Sequence, residues 1–121
     1  MSIESTIILQ SIGDQSPNLS TFTFSDKFKG AGYYKKQSGD HTVQFDLNQF
    51  EGTIKLQGTL EMYPGDNDWV DIIYTNGSTI EASDSTPITS SLMRNFVGNW
   101  LWIRVGYILE QGDIVLVRYN I

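Results

Sequence analysis

Between Gly52 and Met62 the side chains alternate in character, and that alternation limits the chain more than any other feature. Ile54, Leu56, Leu60 and Met62 fall on one parity, and Thr53, Lys55, Gln57, Thr59 and Glu61 on the other. Successive side chains of a strand point to opposite faces, so this segment reads as a strand with one dry and one wet side. Val43, Phe45 and Leu47 alternate in the same way with Thr42, Gln44 and Asp46. So do Leu101, Ile103, Val105, Tyr107 and Leu109 with Trp100, Trp102, Arg104, Gly106 and Ile108. No window carries the i, i+3, i+4, i+7 apolar spacing of an amphipathic helix.

Short segments rich in Val, Ile, Thr, Tyr, Phe and Trp, set between clusters of Gly, Ser, Thr, Asn and Asp, predict strands over 6–12, 19–24, 32–36, 42–47, 52–62, 69–74, 79–82, 100–109 and 114–119. Gln111-Gly112-Asp113 reads as the turn of a final antiparallel hairpin. The mixed stretch 83–99, with Pro87 and a helical turn at 90–95, reads as a crossover loop. One-sided antiparallel strands bury their apolar faces against a second sheet when there are no helices to cover them. The expected fold is all-β: a two-sheet antiparallel β-sandwich, a jelly-roll being one version, with a small β-barrel as the alternative. Gly52 and Gly98 precede long strands where positive φ is useful, and Gly58 inside a strand signals a bulge or a close backbone approach. Trp69 and Phe96 read as plugs at the ends of the sandwich.

A chain of 121 residues fits one domain with a single core, here spanning 1–121 with 1–6 as an extended arm. Without cysteine there are no disulfides or thiolate metal sites. No apolar run approaches a membrane span, and the start lacks the charge and apolar stretch of a signal peptide, which favours synthesis in a cytoplasm. Fourteen acidic against eight basic residues give a net charge of −6, which argues against a nucleic-acid partner. Lys27, Lys29, Lys35 and Lys36 form a local basic cluster, read as solvated strand ends.

Catalysis needs a positioned acid, base, nucleophile or metal. The single histidine, His41, follows Asp40 in a Ser-Gly-Asp-His stretch and reads as a turn residue. Asp66, Asp68 and Asp71 begin like a calcium loop, but Val70 stands where an oxygen ligand belongs and no glutamate closes the pattern. Pro64-Gly65-Asp66-Asn67-Asp68 is first of all turn chemistry. Glu61 and Asp71 could be drawn as a glycosidase pair, as could many pairs among fourteen acids. No phosphate-cradling or dinucleotide motif is present. The expectation is a non-enzymatic chain with no cofactor and no metal.

The aromatic residues say more. Trp100, Trp102 and Arg104 share one strand parity, and Trp, Tyr and Arg are the types enriched at interface hot spots. Three readings stand: a protein interface; a face covered by the loop 83–94, with Arg104 stacked on an indole; and a sugar platform with Gln57, Asn76 and Asp71 as polar partners. The start of the chain, with Ile3 and Ile7, has no preceding element to pair with and could add a strand to a neighbouring subunit.

Phe50-Glu51-Gly52-Thr53-Ile54 through Leu60, followed by Pro64 and Asp68-Trp69, resembles a pattern in small virion proteins of tailed bacteriophages. Asn95-Phe96-Val97-Gly98-Asn99-Trp100-Leu101-Trp102-Ile103-Arg104 resembles a later strand of the same proteins. With the closing Gly-Asp-Ile, the resemblance runs over residues 50–121. It implies a β-sandwich structural part of a phage particle, in capsid decoration, neck, tail or baseplate. It also implies other virion proteins as partners, a homo-oligomer, and location in the virion after assembly in the host cytoplasm. No catalytic residue is carried across.

Overall fold

The computed structural model describes residues 6–12, 22–34, 39–83 and 85–120, and every regular element among them is a strand. In order these are β1 (Thr6–Ile12), β2 (Thr23–Phe24), β3 (Phe28–Lys29), β4 (Asp40–Thr59), β5 (Val70–Asp71), β6 (Ile80–Ala82), β7 (Ile88–Val97) and β8 (Trp102–Asn120). All pairings are antiparallel and belong to one sheet.

Two very long strands organise that sheet. β4 and β8 pair from Thr42↔Asn120 to Thr59↔Trp102, with irregular register around residues 46–52. The first half of β4 is flanked by β7 and by the second half of β8, which β1 borders in turn. The second half of β4 is flanked by β5 and β6 and by the first half of β8, which β2 and β3 border. The midpoint therefore divides one sheet into two four-strand-wide layers. Gln49 takes a φ of 51° there, Gly52 140° and Gly112 84°, values L side chains resist. A Cβ on Gly112 would run into the carbonyl oxygen of Gln49, so the strands can cross this closely only at a glycine.

The irregularity keeps the dry side inward. Val43, Phe45 and Leu47 are buried on odd positions, whereas Phe50, Ile54 and Leu56 are buried on even ones. A bulge inserts one residue, bends the strand and switches parity without changing the buried face. The layers then close on one cluster that joins Val43, Phe45 and Val117 to Ile54, Leu56, Ile103 and Val105, all fully buried. Phe28 of the second layer meets Tyr119 of the first edge-on at 4.6 Å. After β5 the chain passes to the first layer, where Thr75 N donates to Asn95 O (2.8 Å) and Asn95 N to Asn76 Oδ1 (2.6 Å). This edge is stitched as a barrel's would be, while the core is that of a sandwich. The all-β antiparallel expectation holds, with one folded sheet in place of two separate ones.

Several local expectations are corrected. The predicted hairpin at 111–113 does not form: β8 runs straight through Gly112, because both of its halves pair with the same β4. The predicted loop 83–99 holds the ten-residue strand β7, whose inward Leu92 and Phe96 are interrupted by Arg94. The strand predicted to run to residue 62 stops at Thr59, leaving Leu60 (68% exposed) and Met62 (43%) outside the core. A turn, Ala31–Tyr34, replaces the start of the strand predicted over 32–36; the pairing falls on β3, and residues 35 and 36 lie outside the described residues. His41 is no turn residue. It sits on β4, 2% exposed, stacked at 4.4 Å on Phe96, and its Nε2 accepts from Ala31 N (3.1 Å).

Candidate contact surface

The outer face of the second layer is built from wet-side positions of neighbouring strands. β4 presents Lys55, Gln57 and Thr59; β8 presents Trp102, Arg104 and Gly106; Asp71 comes from β5 and Phe24 from β2. Register places Gln57 opposite both Arg104 and Asp71. The buried Gln57 amide bridges them: Arg104 Nε donates to Gln57 Oε1 (2.9 Å), and Gln57 Nε2 donates to Asp71 Oδ1 (2.9 Å). Lys55 Nζ lies 3.2 Å from the same carboxylate oxygen. The Gln57 amide first, and Lys55 after it, hold the Asp71 carboxyl below its ordinary range. With Asp71's side chain 64% exposed, that ion pair stabilises little.

Aromatic rings clamp the cations. The Arg104 guanidinium lies 3.8 Å from the Phe24 ring centroid and 4.4 Å from that of Trp69. Phe24 can lie there because its cross-strand partner is Gly106, where a Cβ would approach the ring to 2.7 Å. Lys55 stands over Phe22 (4.1 Å), Lys27 over Trp102 (4.9 Å) and Lys29 over Tyr33 (4.6 Å). Energetically significant cation–π contacts occur about once per 70–80 residues. Five of the six found among the described residues gather on this one face, with only Arg94 over Tyr74 elsewhere. Tyr33 also packs on Trp102 (5.1 Å) and on Tyr34, which is 53% exposed. Trp102 is pinned further by its Nε1 donating to Met62 O (2.9 Å).

The three residues singled out from the sequence part company. Trp102 and Arg104 lie on this face, but Trp100 precedes β8 and turns toward the core. Its indole lies over Gly58, where a Cβ would come within 2.6 Å of two ring carbons, and its Nε1 is buried with no partner among the described residues. What comes close at Gly58 is therefore an indole side chain and not the backbone expected there. Cover for Arg104 comes from Phe24 and Trp69; the 83–94 segment, expected as a loop over this face, runs into β7 beside β4 in the other layer. Ile7 is 52% exposed on β1, which is paired to β8 from Thr6↔Tyr119 onward. Ile3 and the expected arm through residue 5 lie outside the described residues.

Of the suggested sugar partners, Gln57 and Asp71 meet beside Lys55 and Arg104, but Asn76 is spent on the β7 edge. The Trp69 and Trp102 rings already carry Arg104 and Lys27. Asp68 caps its own turn, accepting from Gly65 N (2.8 Å). Phe22, Phe24, Lys27, Lys29 and Tyr33 were missed as parts of the surface; the Phe-x-Phe alternation was the available signal for the first two. Comparison with protein-family models, curated proteins and solved structures finds no match for this chain.

Proposed function

We propose that this chain is a non-enzymatic structural component of a tailed-bacteriophage particle, placed at the capsid surface, neck, tail or baseplate, and that it works by protein–protein contact through the outer face of its second layer. The observation that carries the reading is the Trp102–Tyr33–Arg104 surface, in which hot-spot residue types are held rigid before any partner arrives. Fixing side chains in advance reduces the ordering cost of association. The resemblance of the 50–60 and 95–105 segments to small virion proteins supports the same reading and supplies its setting. A particle component also implies closed assemblies of identical copies.

The test is incorporation. Particles assembled in cells expressing the epitope-tagged chain together with the genes flanking its own should carry it through a density gradient. A chain with Tyr33→Ala and Trp102→Ala, folded by circular dichroism, should remain in the soluble fractions. Wild-type chain left behind at the top of the gradient would refute the proposal. Saturable sugar binding on a glycan array, lost on Trp102→Ala, would replace it with a host-attachment role.

A further inference from the structure

Within that surface one group is prepared for a ligand. Arg104 has its guanidinium carbon within 4.4 Å of the Phe24 and Trp69 ring centroids and its Nε engaged by Gln57. Its two Nη groups make no hydrogen bond among the described residues, although the side chain is only half-buried. No acid forms an ion pair with it among the described residues. Asp71 is bound to Gln57 and Lys55, and the one ion pair among the described residues is that of Lys55 with Asp71. Asp66 acts on Arg104 only at longer range.

Charge is also segregated. The chain carries −6 overall, yet Lys27, Lys29, Lys55 and Arg104, half of its eight basic residues, cluster on this face. A planar guanidinium whose conformational freedom is already spent presents two parallel donors, a geometry that matches a carboxylate. Rings of Phe24, Tyr33 and Trp102 alongside offer apolar surface to whatever flanks that carboxylate.

We propose that Arg104 is the anchor of a carboxylate-binding site, and that its occupant is an acidic polypeptide segment of a partner subunit, with an Asp or Glu side chain on the Nη edge and neighbouring apolar side chains on the rings. This rests on the contact-surface reading above and gives the partner's chemistry. A nucleic acid fits less well, since a polyanion needs an extended basic track and would meet the net negative charge of the rest of the chain.

The experiment uses the purified full chain and a short fluorescein-labelled peptide of alternating Leu and Glu, read by fluorescence anisotropy. The peptide should bind, and its counterpart with Gln for every Glu should bind at least about tenfold more weakly, as expected for losing a charge-assisted hydrogen bond. Arg104→Gln should weaken the acidic peptide by at least about tenfold. Arg104→Lys should not restore it, because an ammonium supplies neither the fork nor the stack. Arg118→Gln, which removes the same charge from the other layer, should leave binding unchanged. Thermal melts keep an unfolded variant from being scored as a loss. Equal binding of the Gln peptide, full binding by folded Arg104→Gln, no binding by the wild type, or equal binding of a single-stranded oligonucleotide would each overturn the inference. Particle incorporation with no peptide binding would sink the carboxylate site alone. Peptide binding without incorporation would sink the particle role alone.

Discussion

At Gly58 the available space belongs to a neighbour. Trp100 lays its six-membered ring where a methyl group would go, so Gly58→Ala forces either the indole or β4 to move. Overpacking of this kind costs about 1–3 kcal/mol. Urea denaturation should show a loss in that range, with a changed tryptophan emission in the folded state. Gln57 offers a test of the polar side of the same strand. Its amide is the leading cause of the lowered Asp71 pKa. A carboxyl depressed in the folded state stabilises above its unfolded pKa, and that contribution is lost as pH falls through the folded pKa. In Gln57→Leu the Asp71 carboxyl should titrate nearer its ordinary value of about 3.9 by NMR, and the loss of stability below about pH 4 should be shallower than in the wild type. The depressed pKa of Asp46, held by Ser91 and Gln44 in the other layer, is common to both proteins and leaves the difference intact. Single residues were unevenly legible in the sequence. Trp102 and Arg104 could be placed outward by parity alone, but Trp100 could not be placed inward, because it lies before β8 begins and the strand's alternation does not govern it.

Among the elements, β4 and β8 set the architecture and their midpoint is the vulnerable place. Gly112 holds a φ of 84° against the Gln49 carbonyl. Gly112→Val should cost at least about 1–2 kcal/mol from the left-handed backbone alone, more with the collision, and lower the Tm accordingly in a scanning calorimeter. The bend is visible in the sequence as a change of parity, odd over 43–47 and even over 54–56, which alone reads as a break between two strands. That error is physical: a bulge and a short loop both interrupt alternation, and only the partner strand distinguishes them. β7 was lost for a different reason. Ser90 and Arg94 fall on its inward parity, and Arg94 lies there as a partner of the Tyr74 ring, so the apolar rhythm of Ile88, Leu92 and Phe96 skips every second beat. By contrast, β1 matches its expected bounds, Thr6–Ile12, a segment rich in β-branched residues with Ile7, Ile8 and Ile12.

For the whole molecule, acid is the informative stress. His41 joins the layers by accepting from Ala31 N while stacked on Phe96 and Tyr119. Burial pushes its pKa below the ordinary imidazole value, against the opposing pull of the Gly39 and Phe96 carbonyls and of the Asp40 charge. The unfolded chain therefore binds a proton that the folded chain refuses, and stability falls as pH drops from about 6.5 toward the folded pKa. Melting temperatures across that interval should decline for the wild type and flatten in His41→Gln. A protonated imidazole also ceases to be an acceptor, so the turn carrying Tyr33 and Tyr34 loses one of its hydrogen bonds while its backbone bonds to Leu101 and Trp100 remain.

The long strand shared by both layers has a temporal consequence. β1, β2 and β3 find their described pairings on β8 alone, and β4 finds its longest one there. On a ribosome, β2 and β3 must therefore wait, edges bare, until residues 102–107 have been made, and β1 until residues 114–119 follow. Such distant pairing makes for slow maturation. Only β4 has partners available sooner, in β5, β6 and β7, so the first three strands stay open-edged through most of translation.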